Sequence, residues 1–155
     1  MKFKFWLIIV LFFAVLLACD RQKEFEAYQS LDTSGWNKDS LVVFTVEFED
    51  TLSSHNLYLN VRNSGDYQFS NLWLFVHIKS PDGTLLTDTL EFQLADPSGK
   101  WTGSGIGDLF DNQFTYKDNI YFPLPGKYEF SIQQGMRSET LKGIRDIGIR
   151  IEKRD

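Results

Sequence analysis

The chain has 155 residues, with 21 Asp and Glu against 16 Lys and Arg, a formal charge of −5; this acidic balance argues against a nucleic-acid partner. Its length suits one domain with a sizeable core. Cys19 is the only cysteine, so the folded part has no disulfide of its own and must stand on its core.

The first element is an export signal. Lys2 and Lys4 form a short basic region, and Phe5 to Ala18 is an uninterrupted apolar run of 14 residues. That run is short of the roughly 18 residues of a transmembrane helix, and Asp20, Arg21, Lys23 and Glu24 end it abruptly. Residues 1–18 therefore read as a cleaved signal peptide. Leu16-Leu17-Ala18-Cys19 is similar to the bacterial lipobox, in which diacylglycerol is attached to the cysteine sulfur, the chain is cut just before it and the new N-terminus is acylated. Two or three acyl chains, at about 0.8 kcal/mol per buried methylene, anchor stably where one is marginal. With Lys2 and Lys4 removed, the mature chain has a formal charge of −7 and keeps three Trp, ten Phe and six Tyr. Residues 19–33 are expected to be the lipidated N-terminus and a tether reaching about 50 Å when fully extended. The folded domain is expected at 34–155.

Beyond that tether the dominant period is two. Val42, Phe44, Val46 and Phe48 alternate with Val43, Thr45 and Glu47, and Leu57, Leu59 and Val61 with Tyr58, Asn60 and Arg62. Leu72 to Ile78 is apolar on both faces except at His77, which predicts a central strand covered on both sides. Ser80-Pro81-Asp82-Gly83 is a tight turn, so Leu85 to Leu94 should return antiparallel, with Leu90, Phe92 and Leu94 inward. Strand character resumes around Phe114 to Phe122, turns at Pro123-Leu124-Pro125-Gly126, and continues with Tyr128, Phe130, Ile132 and Gln134 inward. The last strand starts near Ile144 and points Ile147, Ile149 and Ile151 to the core. Seven or eight short strands separated by turns predict an all-β, antiparallel β-sandwich. Gln134 to Leu141 has room for at most a turn or two of helix.

Most chemical motifs fail on inspection. Gly103-Ser104-Gly105-Ile106-Gly107 has the glycine density of a phosphate loop but neither the preceding parallel strand, the following helix, nor the Lys before Ser or Thr that nucleotide binding uses. It reads either as a structural loop whose small residues let Trp101 lie flat on the sandwich or, with Trp101 exposed, as a binding edge for a peptide, glycan or protein. His55 and His77 stand in no ligand-pair spacing. Asp82, Asp88, Asp96, Asp108 and Asp111 match no calcium-loop pattern. Ser, His and Asp occur without any relation that would make a nucleophile and base, so no enzyme activity, cofactor, metal or nucleotide is expected.

Several stretches carry a resemblance. LLAC at 16–19, Trp36, LYLNVRNSGDYQFSNLWLFV at 57–76, DTLEFQLADPSGKWTGSGIGDL at 88–109, LPGKYEFSIQQGMR at 124–137 and LKGIRDIGIRIEK at 141–153 together resemble the gliding-motility lipoprotein H (GldH) family of the Bacteroidetes, over nearly all of the mature chain. Gly135 stands where that family often has Ala. The resemblance implies a non-catalytic envelope lipoprotein required for gliding, a scaffold or assembly factor of a machinery that works with type IX secretion. Its implied partners are the membrane, through the lipid on Cys19, and other envelope proteins of the gliding apparatus. The outer membrane is the expected location, and Asp20 is the residue that argues for the inner one. The alternative is a glycan- or peptide-binding module, which two or three exposed, coplanar rings among Trp36, Trp73 and Trp101 would favour.

The residues themselves single out two segments. Arg62 precedes the Asn63-Ser64-Gly65-Asp66 turn and is expected to clamp its carbonyls or pair with Asp66. Gln134 falls at a core position, where a buried amide needs partners: it either satisfies a neighbouring loop or faces a partner protein. Lys100 to Leu109, with Gly99, Gly103, Gly105 and Gly107 around Trp101, and Gln133 to Arg137, with Met136 and Arg137 as anchor types, are expected to form the most informative surface. Trp101 is there either a core plug or an interface anchor.

Overall fold

The computed structural model describes residues 22–154, all of them in strands, turns or loops. The signal peptide and Cys19 lie outside the described residues. Eleven strands occur among those described: β1 (Lys23–Ser30), β2 (Trp36–Asn37), β3 (Val42–Phe48), β4 (Ser54–Ser64), β5 (Asn71–Lys79), β6 (Leu85–Gln93), β7 (Ser104–Ile106), β8 (Leu109–Tyr121), β9 (Gly126–Gln134), β10 (Thr140–Leu141) and β11 (Ile144–Lys153). They form a five-stranded sheet in the order β1-β11-β4-β8-β7, a four-stranded sheet in the order β3-β9-β5-β6 and a small β10-β2 pair. Every pairing is antiparallel.

The period-two pattern builds the core. Val42, Phe44, Val46 and Phe48 from β3, Leu72, Leu74, Val76 and Ile78 from β5, and Tyr128, Phe130 and Ile132 from β9 meet Leu57, Leu59 and Val61 from β4 and Ile147, Ile149 and Ile151 from β11. All are buried, each side chain contributing roughly 1.5–3 kcal/mol relative to exposure. One end is closed by rings: Phe48 stacks on Phe122 with centroids 3.8 Å apart, and Tyr128 meets both edge-on.

The structure corrects the sequence reading at four places. Residues 23–30, expected to be part of a tether, are the edge strand β1, registered against β11 from Lys23↔Glu152 to Ser30↔Asp146. The strand total exceeds seven or eight because β1, β7 and the two-residue β2 and β10 are invisible to a periodicity argument. Residues after Gln134 form a loop leading to β10, with no helical turn. β5 is central in its sheet, as expected, but its outer face is open: Trp73 is 38% exposed and Phe75 is half-buried.

Candidate interaction surface

Register decides which loops share an end. Lys23↔Glu152, Lys153↔His55, Ser54↔Tyr121, Phe48↔Gly126 and Lys79↔Leu85 lie at one end of the sandwich. Ser64↔Leu109, Ile144↔Asn63, Leu74↔Gln134 and Asn71↔Gln93 lie at the other. Both segments singled out by sequence, Lys100 to Leu109 and Gln133 to Arg137, are therefore at the same end, the one away from the start of β1.

The glycine-rich segment is a β-hairpin. Ser104, Gly105 and Ile106 pair with Asp111, Phe110 and Leu109, and Gly107 makes the turn with a φ of 71°, a conformation that costs glycine least. A Cβ on Gly105 would stand 1.8 Å from the Leu109 carbonyl oxygen, and one on Gly103 would stand 2.8 Å from the Asn112 amide. The glycines thus close on β8 and not, as expected from sequence, on Trp101. Gly103 is needed because Asn112 is buried and fully used: its Nδ2 donates to Asn63 Oδ1 at 3.0 Å and to the Val61 carbonyl at 3.2 Å, and Thr102 Oγ1 donates to its Oδ1 at 3.4 Å. Ile106, at the hairpin tip, is 96% exposed.

Trp101 lies beneath this hairpin, bridged to Ala95. It is half-buried against the core, with its ring tilted over Phe110 at 5.7 Å and Tyr67 at 6.3 Å. Tyr67 is itself buried. Its hydroxyl donates to the Asn71 carbonyl at 2.8 Å, and burial pushes its phenol well above the ordinary range.

Gln134 is 2% exposed, and the loop that follows takes up both ends of its amide. Nε2 donates to the Ser138 carbonyl at 2.8 Å and Oε1 accepts from the Met136 N–H at 2.9 Å. The loop is tied back to β5: Gly135 N–H donates to the Trp73 carbonyl at 2.7 Å, and Met136 Sδ lies 3.4 Å from the Trp73 nitrogen. The result is a shallow groove walled by Phe69, Asn71 and Trp73 on one side and Gly135, Met136, Arg137 and Ser138 on the other. Arg137 is exposed at its rim and makes no hydrogen bond or ion pair among the described residues. Trp101 does not line the groove; it connects to it through Tyr67, whose ring meets Phe69 at 5.7 Å. Phe69 escapes a sequence search for site residues because its aromatic character alone reads as core, and Trp73 is visible there only as one of three candidate sugar-stacking rings.

Arg62 sits on the outer face of the five-stranded sheet. Its Nε donates to Asp111 at 3.1 Å, Nη1 lies 4.0 Å from Asp146, and its guanidinium covers the Tyr28 ring at 4.0 Å. Asp66, its expected partner, pairs with Arg145 at 3.7 Å instead.

The remaining polar candidates are absorbed by the fold. Asp82 accepts from Thr84 N–H, Asp96 from Ser98 and Lys100, and Asp108 from Gly65 N–H. Asp88 pairs with Lys117 at 2.8 Å and accepts from the Tyr116 hydroxyl. Among the described residues no group of three His, Cys, Asp or Glu side chains is placed to hold a metal. His77 Nδ1 is 2.9 Å from Thr87 Oγ1. His55 is fully buried against Phe48 and Phe122, and its Nε2 lies 2.7 Å from Glu24, close in distance but without hydrogen-bond geometry.

The model of the family described as GldH lipoprotein matches residues 23–151, from the first residue of β1 into β11. The chain belongs to the GldH lipoprotein family. It is 40% identical to the gliding motility lipoprotein GldH homolog of Christiangramia forsetii, over 100% of this chain and 99% of that protein. It is 39% identical to the gliding motility lipoprotein GldH of Flavobacterium johnsoniae, over 95% and 96% respectively. Among solved structures it is similar to the infectious bursal disease virus VP2 subviral particle at a TM-score of 0.40 and 13% identity, over 87% of this chain and 34% of that one. The GldH match takes in β1, so the family domain begins where the sandwich does and not after a tether.

Proposed function

We propose that this GldH-family chain is a non-catalytic lipoprotein of the cell envelope, anchored through Cys19 to the outer membrane, that serves gliding motility as a scaffold or assembly factor linked to type IX secretion. The observation that carries this reading is the match to two GldH proteins over essentially the whole chain. The end of the sandwich away from β1 supplies the means of holding a partner. There an apolar groove of Phe69, Trp73 and Met136 is rimmed by Arg137, which has no partner among the described residues, and aromatic, Met and Arg side chains are the types that dominate protein interfaces.

The geometry favours a protein partner over a glycan. Trp36 is 2% exposed, with its indole N–H donating to the Ser40 carbonyl, and Trp101 is half-buried, which leaves Trp73 as the exposed tryptophan among the three. A single ring is a poor platform for a sugar chain.

The test is chromosomal replacement in the native bacterium. Trp73→Ser with Arg137→Ala is expected to leave protein abundance unchanged, abolish spreading on agar and remove envelope proteins that co-purify with the wild-type chain. Normal spreading with normal abundance would overturn the groove as the working surface. Cys19→Ala is expected to stop lipidation, and globomycin to leave the lipidated precursor uncut. An unmodified Cys19 in membrane-extracted protein would refute the anchor.

A further inference from the structure

β1 starts only four residues after Cys19. The chain between the lipid-bearing residue and Gln22, whose carbonyl accepts from Lys153 N–H, spans at most about 11 Å. A tether this short leaves the sandwich no freedom to stand off from the bilayer, and it fixes which end is near. The near end holds the starts of β1, β4, β6 and β9 and the ends of β3, β5, β8 and β11.

That end carries five of the eleven large apolar side chains exposed among the described residues. Leu52, in the β3–β4 loop, is 87% exposed; Leu85 and Leu86, which open β6, are 60% and 46% exposed; Tyr121, closing β8, is 55% exposed; Leu124, in the β8–β9 turn, is 36% exposed. Isolated exposed leucines are ordinary on a protein surface, and others such as Ile106 stand at the far end; what sets these five apart is that the short anchor brings their end to the lipid. Charges at this end are of both signs, as in Lys153 on Asp50 at 2.7 Å, so no single-sign patch draws it to the lipid and the attraction is apolar.

We infer that this end docks on the lipid surface, with Leu52, Tyr121 and Leu124 seated at the bilayer interface and the Trp73–Arg137 groove held at the far end. The inference rests on the lipid-anchor reading of Cys19. Leucine and tyrosine suit the place, since an amphipathic ring and aliphatic chains sit favourably at the headgroup boundary. The β4 strand, 11 residues long, sets the separation of the two ends at roughly 35 Å, so the groove stands clear of the headgroups.

The test uses the full lipidated chain. Its only native thiol, Cys19, is expected to carry the lipid, so a fluorophore attaches solely to a cysteine introduced as Leu52→Cys, Leu124→Cys or Ile106→Cys, all exposed positions that leave the core untouched. The proteins are reconstituted in phosphatidylethanolamine and phosphatidylglycerol vesicles containing nitroxide-labelled lipid. Dyes at 52 and 124 are expected to be quenched at least about threefold more strongly than the dye at 106, given seating within the interface. Equal, weak quenching at all three sites in protein whose Cys19 is lipidated by mass spectrometry would overturn the docking while leaving the anchor intact. An unlipidated Cys19 in protein extracted from cell membranes would overturn both.

Discussion

The Arg62 guanidinium lies 4.0 Å from the centre of the Tyr28 ring, although the two residues sit on β4 and β1 with β11 running between them. The contact exists because Tyr28 is registered opposite Gly148, and the ring lies across the gap that the missing side chain leaves: a Cβ there would stand 2.8 Å from the ring. Arg62, held by Asp111, thereby pins the edge strand to the sheet. Gly148→Val is expected to lift the ring and destabilise the domain by about 1–3 kcal/mol, and Arg62→Ala by roughly 1 kcal/mol. Hydrogen exchange should accelerate at the β1 amides first in both variants. Uniform acceleration across the domain would show that no local clamp exists.

Trp101 and Arg137 should separate in a denaturation experiment. Trp101→Ala removes a half-buried ring that touches Tyr67 and Phe110, and a loss of roughly 3 kcal/mol is expected. Arg137→Ala removes a side chain without partners among the described residues and should change stability by less than about 0.5 kcal/mol. A Trp101→Ala domain with wild-type stability would assign that ring to an interface.

Asn112 tests the buried amide cluster. Asn112→Ala strips Asn63 Oδ1 and the Val61 carbonyl of a donor in a dry site and should cost about 1–3 kcal/mol. Combining it with Gly103→Ala should cost less than the sum of the two, because the methyl group added at position 103 would occupy the space that the Asn112 amide vacates. Strict additivity would contradict this packing.

Asp88 links the two sheets and should show in acid. The hydrogen bond from Lys117, then that from Tyr116, holds its carboxyl below the ordinary value. A carboxyl whose folded pKa is depressed contributes fully above its unfolded pKa and loses that contribution as pH falls through the folded value. The stability gap between wild type and Asp88→Asn is therefore expected to be about 1 kcal/mol at neutral pH. It should hold down to about pH 4 and narrow below it. A gap that widens in acid would rule out this pair as the cause.

How legible each part is in the sequence follows from burial. β3, β4, β5, β9 and β11 each have one face against the core, so their alternation is strong, and Gln134 falls at a core position because it continues that of Tyr128, Phe130 and Ile132. β1 is hidden because it is an edge strand: Phe25 and Ala27 do alternate with Glu24, Glu26 and Tyr28, but an edge buries its inner row only halfway, and charges on such strands are ordinary protection against aggregation. Two-residue strands such as β2 and β10 are too short to carry a period. The groove is half legible. Gly135 to Arg137 break the pattern of β9 visibly, whereas Trp73, across from them, keeps the pattern of β5 and so implies a covering layer that the described residues do not supply. For Arg62, Asp66 is the nearer carboxylate in sequence, while Asp111 and Asp146 are the nearer ones in the sheet.

If Cys19 carries the proposed anchor, the start of β1 at Lys23 also has a mechanical consequence. Tension between the bilayer and anything held in the far groove would pull β1 along its own axis, parallel to β11. Inter-strand hydrogen bonds stand perpendicular to the strands, so the registered contacts from Lys23 to Ser30 take that load together in shear and are not peeled one at a time. The Tyr28 ring, lodged over Gly148, acts as a detent against sliding. With the proposed anchor on Cys19 and a partner in the far groove, the first strand of the domain would serve as a stiff mechanical coupling, placed where a structureless leash would transmit force only after it was drawn taut.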